Sequence, residues 1–145
     1  MSNISAFGYV ITIVASNTFP VGFTVTQGAS DGDPLDMPSV RIGDLVLGVN
    51  GDPISWNKAV PLPMTVSVIP NGLDDINLTV LANANRAAQG KSSAQDIITA
   101  TIVYPDGSVT TLTQGAITDA PFGKSLSSDG RVKTRQFAFL FGGFA

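Results

Sequence analysis

A mainly β domain with antiparallel strands and a single α-helix is the fold class the sequence predicts, and three observations carry it. Every acidic residue is Asp, and Asp31-Gly32, Asp33-Pro34, Asp52-Pro53, Asp106-Gly107 and Asp129-Gly130 set aspartate beside the residues that turn corners. Glu, which favours helices, does not occur. Apolar residues alternate with a period of two in several stretches, whereas helical spacing is found once.

The strands follow in order. Phe7, Tyr9, Ile11 and Ile13 alternate, Ser16-Asn17-Thr18-Phe19-Pro20 interrupts, and Val21, Phe23 and Val25 resume, which reads as a hairpin. Residues 29–39 carry two prolines and no periodicity, so they form a long projecting loop whose Leu35 and Met37 have no evident core to enter. Val40 to Val49 returns to strand, Asn50-Gly51-Asp52-Pro53 turns, and Met64 to Ile69 forms another strand after a connection containing Trp56.

The helix opens after Pro70-Asn71-Gly72. Leu73, Ile76, Val80, Ala84 and Ala87 share one face, flanked by Leu81 and Ala88, and that face is expected to pack on the sheet. Asn71 suits the cap, Asp74 and Asp75 suit the positive end, and Gly90-Lys91 suits the stop. Ile97 to Tyr104 and Ser108 to Thr113 flank the turn Pro105-Asp106-Gly107 as a further hairpin. After an irregular stretch, Asp119 to Gly130, the terminal strand is read from Arg131 to Phe141. One face of it carries Arg131, Lys133 and Arg135, then Phe137, Phe139 and Phe141. Such a strand must be paired and its phenylalanines covered, and this end of the chain is expected to be adhesive.

Composition narrows the function. The 145 residues are 43% hydrophobic, enough for one core, and no compositional break divides residues 1–145 into more than one domain. Only 13% of residues are charged, against about a quarter in ordinary soluble domains. Much of the surface is therefore expected to meet other protein. The net charge is −3, with seven aspartates against Arg41 and Lys58 in residues 1–75 and four against six cations in residues 76–145. The start lacks a cationic signal-like region, and the apolar run Tyr9 to Ala15 is too short to span a bilayer, so the chain is read as soluble and unexported, without membrane insertion.

Catalytic chemistry has few carriers. Without His, Cys or Glu, neither a thiolate metal site nor the usual general bases are available, and adjacent Asp74 and Asp75 diverge by about 100° on a helix. No enzyme activity, cofactor or metal is expected. The segment Asp31 to Asp36 lacks the ligand spacing and closing Glu of a calcium loop and reads as a polar turn. The cationic row Arg131, Lys133, Arg135 in an acidic chain reads as an inter-subunit salt-bridge row or solvated edge in preference to a nucleic-acid site.

The strand leading into Pro70, the helix with Leu73, Asp74, Asp75, Leu78 and Leu81, and the terminal Lys133-Thr134-Arg135-Gln136-Phe137-Ala138-Phe139-Leu140-Phe141 resemble the tail-tube proteins of contractile-tailed bacteriophages. That family is kin to the ring protein of type VI secretion and to pyocin-like tubes. The resemblance implies an antiparallel β-sandwich or partial barrel with one α-helix, closing into a larger β-barrel ring on oligomerisation. Homohexameric rings would stack into the inner tail tube of a virion, assembled in the host cytoplasm. DNA would meet the protein only in transit, and sheath, tape-measure and baseplate proteins would be partners. The loop after the first hairpin would reach a neighbouring ring, which makes Asp31, Asp33, Leu35, Asp36 and Met37 inter-ring candidates. Arg131, Lys133, Arg135, Phe137, Phe139 and Phe141 are the inter-subunit candidates. Ring closure fits the chain's own features, because it removes sheet edges and buries a weakly charged surface. An acidic lumen would keep DNA from sticking.

Two other classes are compatible with the residues. One is a carbohydrate-binding or fibre-type β-sandwich module using Trp56, Tyr104 or Tyr9 for stacking, although one Trp and two Tyr are few. The other is a small hydrolase.

Overall fold

The computed structural model describes residues 7–28 and 33–144. It consists of β1 (Val10–Ala15), β2 (Phe19–Val25), β3 (Leu35–Asp36), β4 (Gly43–Leu47), β5 (Pro53–Asn57), β6 (Leu62–Val68), α1 (Leu73–Ala84), β7 (Ile98–Val103), β8 (Val109–Asp119) and β9 (Arg135–Phe144). Seven strands form one antiparallel sheet in the order β2-β1-β7-β8-β9-β6-β3, while among the described residues β4 and β5 pair only with each other. The fold is mainly β with one helix, as expected, and in the single chain the sheet does not close into a barrel.

One face of the sheet makes the core. Ile11, Ile13 and Ala15 of β1, Met64, Val66 and Val68 of β6, Ile98, Ala100 and Ile102 of β7, and Phe137, Phe139 and Phe141 of β9 are buried there with Leu78 and Leu81 of the helix. Burial alternates strictly along β1 and β7, which is the period-two pattern of a sheet covered on one side. Phe141 lies opposite Gly115, and a Cβ at that position would stand 2.2 Å from the ring, so glycine is needed where the aromatic side chain crosses β8.

Several expectations are corrected. The helix buries Asp74, Asp75, Leu78, Leu81 and Ala82, so it is turned away from the face expected to pack. Leu73, Ile76 and Val80 are instead 66%, 54% and 48% exposed. The rotation follows from partners: Asp74 and Asp75 find donors beneath the helix and can be buried without orphaned charge. The helix also ends at Ala84, earlier than the apolar spacing suggests. There Lys91 Nζ donates to the carbonyls of Asn83 and Arg86, satisfying acceptors left open at the end of the helix.

The stretch expected as one strand, Val40 to Val49, does not join the main sheet, and the Trp56 connection is itself strand β5. The terminal strand begins at Arg135; Arg131 and Lys133 belong to a small loop closed by the Leu126–Val132 bridge. β8 runs on to Asp119, through a bulge at Gln114 with φ 55.

Candidate assembly surfaces

The six long strands of the main sheet contain only two ionisable residues, Arg135 and Asp119. On the face away from the core, Thr24, Thr12, Thr101 and Thr111 are cross-strand partners in a continuous row over four strands. Val10, Val103 and Val109 make a parallel row and stand outside the core cluster. This face carries no cation and is mildly polar, with Asp36 beside Thr65 and Asp119 beside Ala138 as its charges; Thr suits a strand and presents a hydroxyl to water.

The sheet ends in two edges. Among the described residues β2 pairs only with β1, and its edge is blunted by Pro20 and by Gly22 at φ +87. At the other end β3 covers only Val66 and Thr65 of β6, so among the described residues Leu62 to Met64 have strand partners on one side only.

A second surface is the β4–β5 hairpin. Leu45, Leu47, Ile54 and Trp56 are all substantially exposed on it, and Val49 beyond the end of β4 is fully exposed. Its fastening is at the base, where Asp44 accepts from Arg41 at 2.6 Å and from Lys58 at 2.5 Å. An isolated two-stranded ribbon is marginal in water, and this one displays apolar side chains that need cover.

The third surface surrounds the start of α1. Asp75 Oδ1 lies 2.8 Å from Arg135 Nη1, with the side chains 2% and 6% exposed. Asp75 Oδ2 accepts from the Asn71 amide at 2.9 Å, and Arg135 also donates to the Pro121 carbonyl and lies 5.6 Å from the Phe137 ring centroid. Asp74 Oδ2 accepts from the amides of Thr26 and Gln27, both at 2.8 Å, which ties the helix to the end of β2. The segment after β8 is strapped over the helix by Lys124 donating to Asn71 Oδ1 and by Arg86 lying 5.5 Å from the Phe122 ring. Between helix and strap runs a groove of about 320 Å³ walled by Ile76, Thr79, Val80 and Lys124, with Asp75 and Arg135 at its floor.

At the other end of the helix, Asp96 accepts from the amides of Asn17 and Thr18, the Thr18 hydroxyl and the Asn85 amide group. Burial alone would raise its pKa, but these donors outweigh it and hold the carboxyl below the usual range. Ser108 lowers that of Asp106 in its turn. Burial, and then the charge of Asp74, push the Tyr9 phenol up.

The sequence-predicted residues fall as follows. Asp31 lies outside the described residues. Asp33 is exposed. Leu35 and Met37 do find a core, packing at its margin because the short β3 pairing brings them onto β6, and Asp36 sits opposite Thr65. Arg135 is corrected from a rim cation to the buried partner of Asp75, while Arg131 and Lys133 are exposed on the loop before β9. Phe137, Phe139 and Phe141 fill the chain's own core, because β9 lies between β8 and β6 and is not an edge. Of the aspartates, Asp36 and Asp119 lie on the sheet face away from the core. The first strand of the hairpin and its turn were expected from the sequence, but the return strand Pro53–Asn57 was read as a connection. Among the described residues there is no helix long and apolar enough to cross a membrane and no cluster of three potential metal ligands.

The same fold occurs in chains of solved contractile injection system assemblies. A chain of the anti-feeding prophage cap (AFP tube terminating cap) matches with a TM-score of 0.56 and 11% identity, over 100% of this chain and 91% of that one. A chain of the sheath-tube complex of the extracellular contractile injection system PVC, in the extended state, matches with a TM-score of 0.57 and 8% identity, over 99% and 90%. One from the PVC sheath/tube terminator gives 0.54 and 10%, over 100% and 96%. At such identities the likeness is one of fold. The chain belongs to the family described as Tail fiber protein gp32, whose profile matches residues 2–145. No curated protein matches the sequence.

Proposed function

We propose that this protein is a non-enzymatic structural subunit of a contractile tail, forming stacked hexameric rings of the inner tube. The observation that carries the reading is the cation-free, threonine-lined sheet face between two incompletely paired edges. Edge-to-edge pairing of copies would satisfy the open backbone groups and turn that face into the wall of a channel. A wall without cations offers passing DNA no phosphate contacts, and Asp36 and Asp119 on the same face are in keeping with an acidic lumen. The folds shared with a tube complex, a cap and a terminator support the same class of component. Sheath, tape-measure and baseplate proteins are then its neighbours, and its place is the tail of a virion assembled in the host cytoplasm. Arg131 and Lys133 remain candidates for contacts between subunits, and Asp33 and Asp36 for contacts between rings.

A fibre role is the second reading, favoured by the description of the family. Negative-stain microscopy with mass measurement separates the two. Six-membered rings or tubes with an open channel are expected; slender trimers or a monomer at high concentration would overturn the tube.

A further inference from the structure

We propose that the β4–β5 hairpin of one copy docks into the groove between α1 and the Phe122–Lys124 strap of a second copy, an inference that rests on the assembly reading above. Both halves of the contact are incomplete in the single chain. The hairpin shows Leu45, Leu47, Val49, Ile54 and Trp56 to solvent, and the groove shows Ile76 and Val80, with Leu73 extending the apolar strip. The exposure of the hairpin residues means that they do not fill the groove of their own chain.

Size and charge match the two. A strand of five residues spans about 17 Å, and three turns of helix about 16 Å, so the ribbon can lie along the helix. The turn carries one charged residue, Asp52, and the rim of the groove carries Lys124, so the tip is acidic where the receiving surface is basic. Because hairpin and groove are different patches, each copy both gives and receives, and the contact propagates instead of closing a dimer.

The chain contains no Cys, so introduced thiols report the contact without background. Val49→Cys and Ile76→Cys proteins are prepared separately, mixed before assembly and mildly oxidised. Disulfide-linked dimers are expected about tenfold faster or more in the mixture than in either protein alone, because docking raises the local thiol concentration. Equal rates in all three, with assemblies present by microscopy, would overturn the docking and leave the tube reading standing. Failure of the unmodified protein to assemble would overturn both. In a second test, the Ile76→Lys, Val80→Lys variant is expected to keep its circular dichroism spectrum and lose elongation; tubes of normal length from it would overturn the docking.

Discussion

Arg135 Nη1 stands 2.8 Å from Asp75 Oδ1, joining the first residue of β9 to the first turn of α1 beneath the surface of the domain. The same guanidinium holds the Pro121 carbonyl, so helix, terminal strand and strap meet at one buried charge. Removing Asp75 leaves that charge unmatched. Asp75→Ala should destabilise the fold by about 3–5 kcal/mol, whereas replacing both partners with apolar residues of similar volume should cost far less. Urea unfolding of the two single variants and the double variant tests this; an Asp75→Ala protein as stable as the parent refutes it.

Asp96 predicts the acid limit of the fold. Its folded pKa is lowered by the four donors around it, so its contribution is fully present above the unfolded value and is lost as pH falls through the folded one. An Asp96→Asn protein should be less stable at neutral pH by roughly 1.5–3 kcal/mol, the range of hydrogen bonds to a charged group. Its stability should then change less than that of the parent between pH 5 and pH 2. Thermal midpoints across that interval decide it.

Gly115 is expected to tolerate no side chain. A methyl there would meet Phe141 Cδ1 at 2.2 Å, in a core already filled by Phe137 and Phe139. Gly115→Ala should cost about 1–3 kcal/mol through overpacking, measured as a lower denaturant midpoint with an unchanged slope. No shift in the midpoint would mean that β8 moves away freely.

Phe139→Lys distinguishes a core strand from an adhesive one. The Phe139 side chain is buried within its own chain, so lysine there should unfold the subunit and abolish assembly only as a consequence. Circular dichroism of the purified variant is the check. A folded protein that merely fails to form rings would return Phe139 to an interface between subunits.

The β class, the turns, the single helix and the burial demand of the terminal phenylalanines were legible in the residues themselves. They depend on local chemistry: Asp-Gly and Pro-Asp-Gly bend any chain, and alternating apolar residues need one covered face. Local periodicity is silent on which side of a helix meets the sheet when both sides offer apolar residues. Leu73, Ile76 and Val80 looked like the packed face; tertiary structure turned them outward, because Arg135 of β9 and the amides of Thr26 and Gln27 just after β2 are distant in sequence and pull Asp74 and Asp75 inward. The position of β9 was hidden for the same reason. Alternation calls for a neighbour without naming it, and long-range pairing placed β9 between β8 and β6, in the core and away from both edges. Likewise the exposed hairpin and the cation-free sheet face exist only once strand order is set. A residue's composition says how much surface needs cover, and only the fold decides where that surface lies.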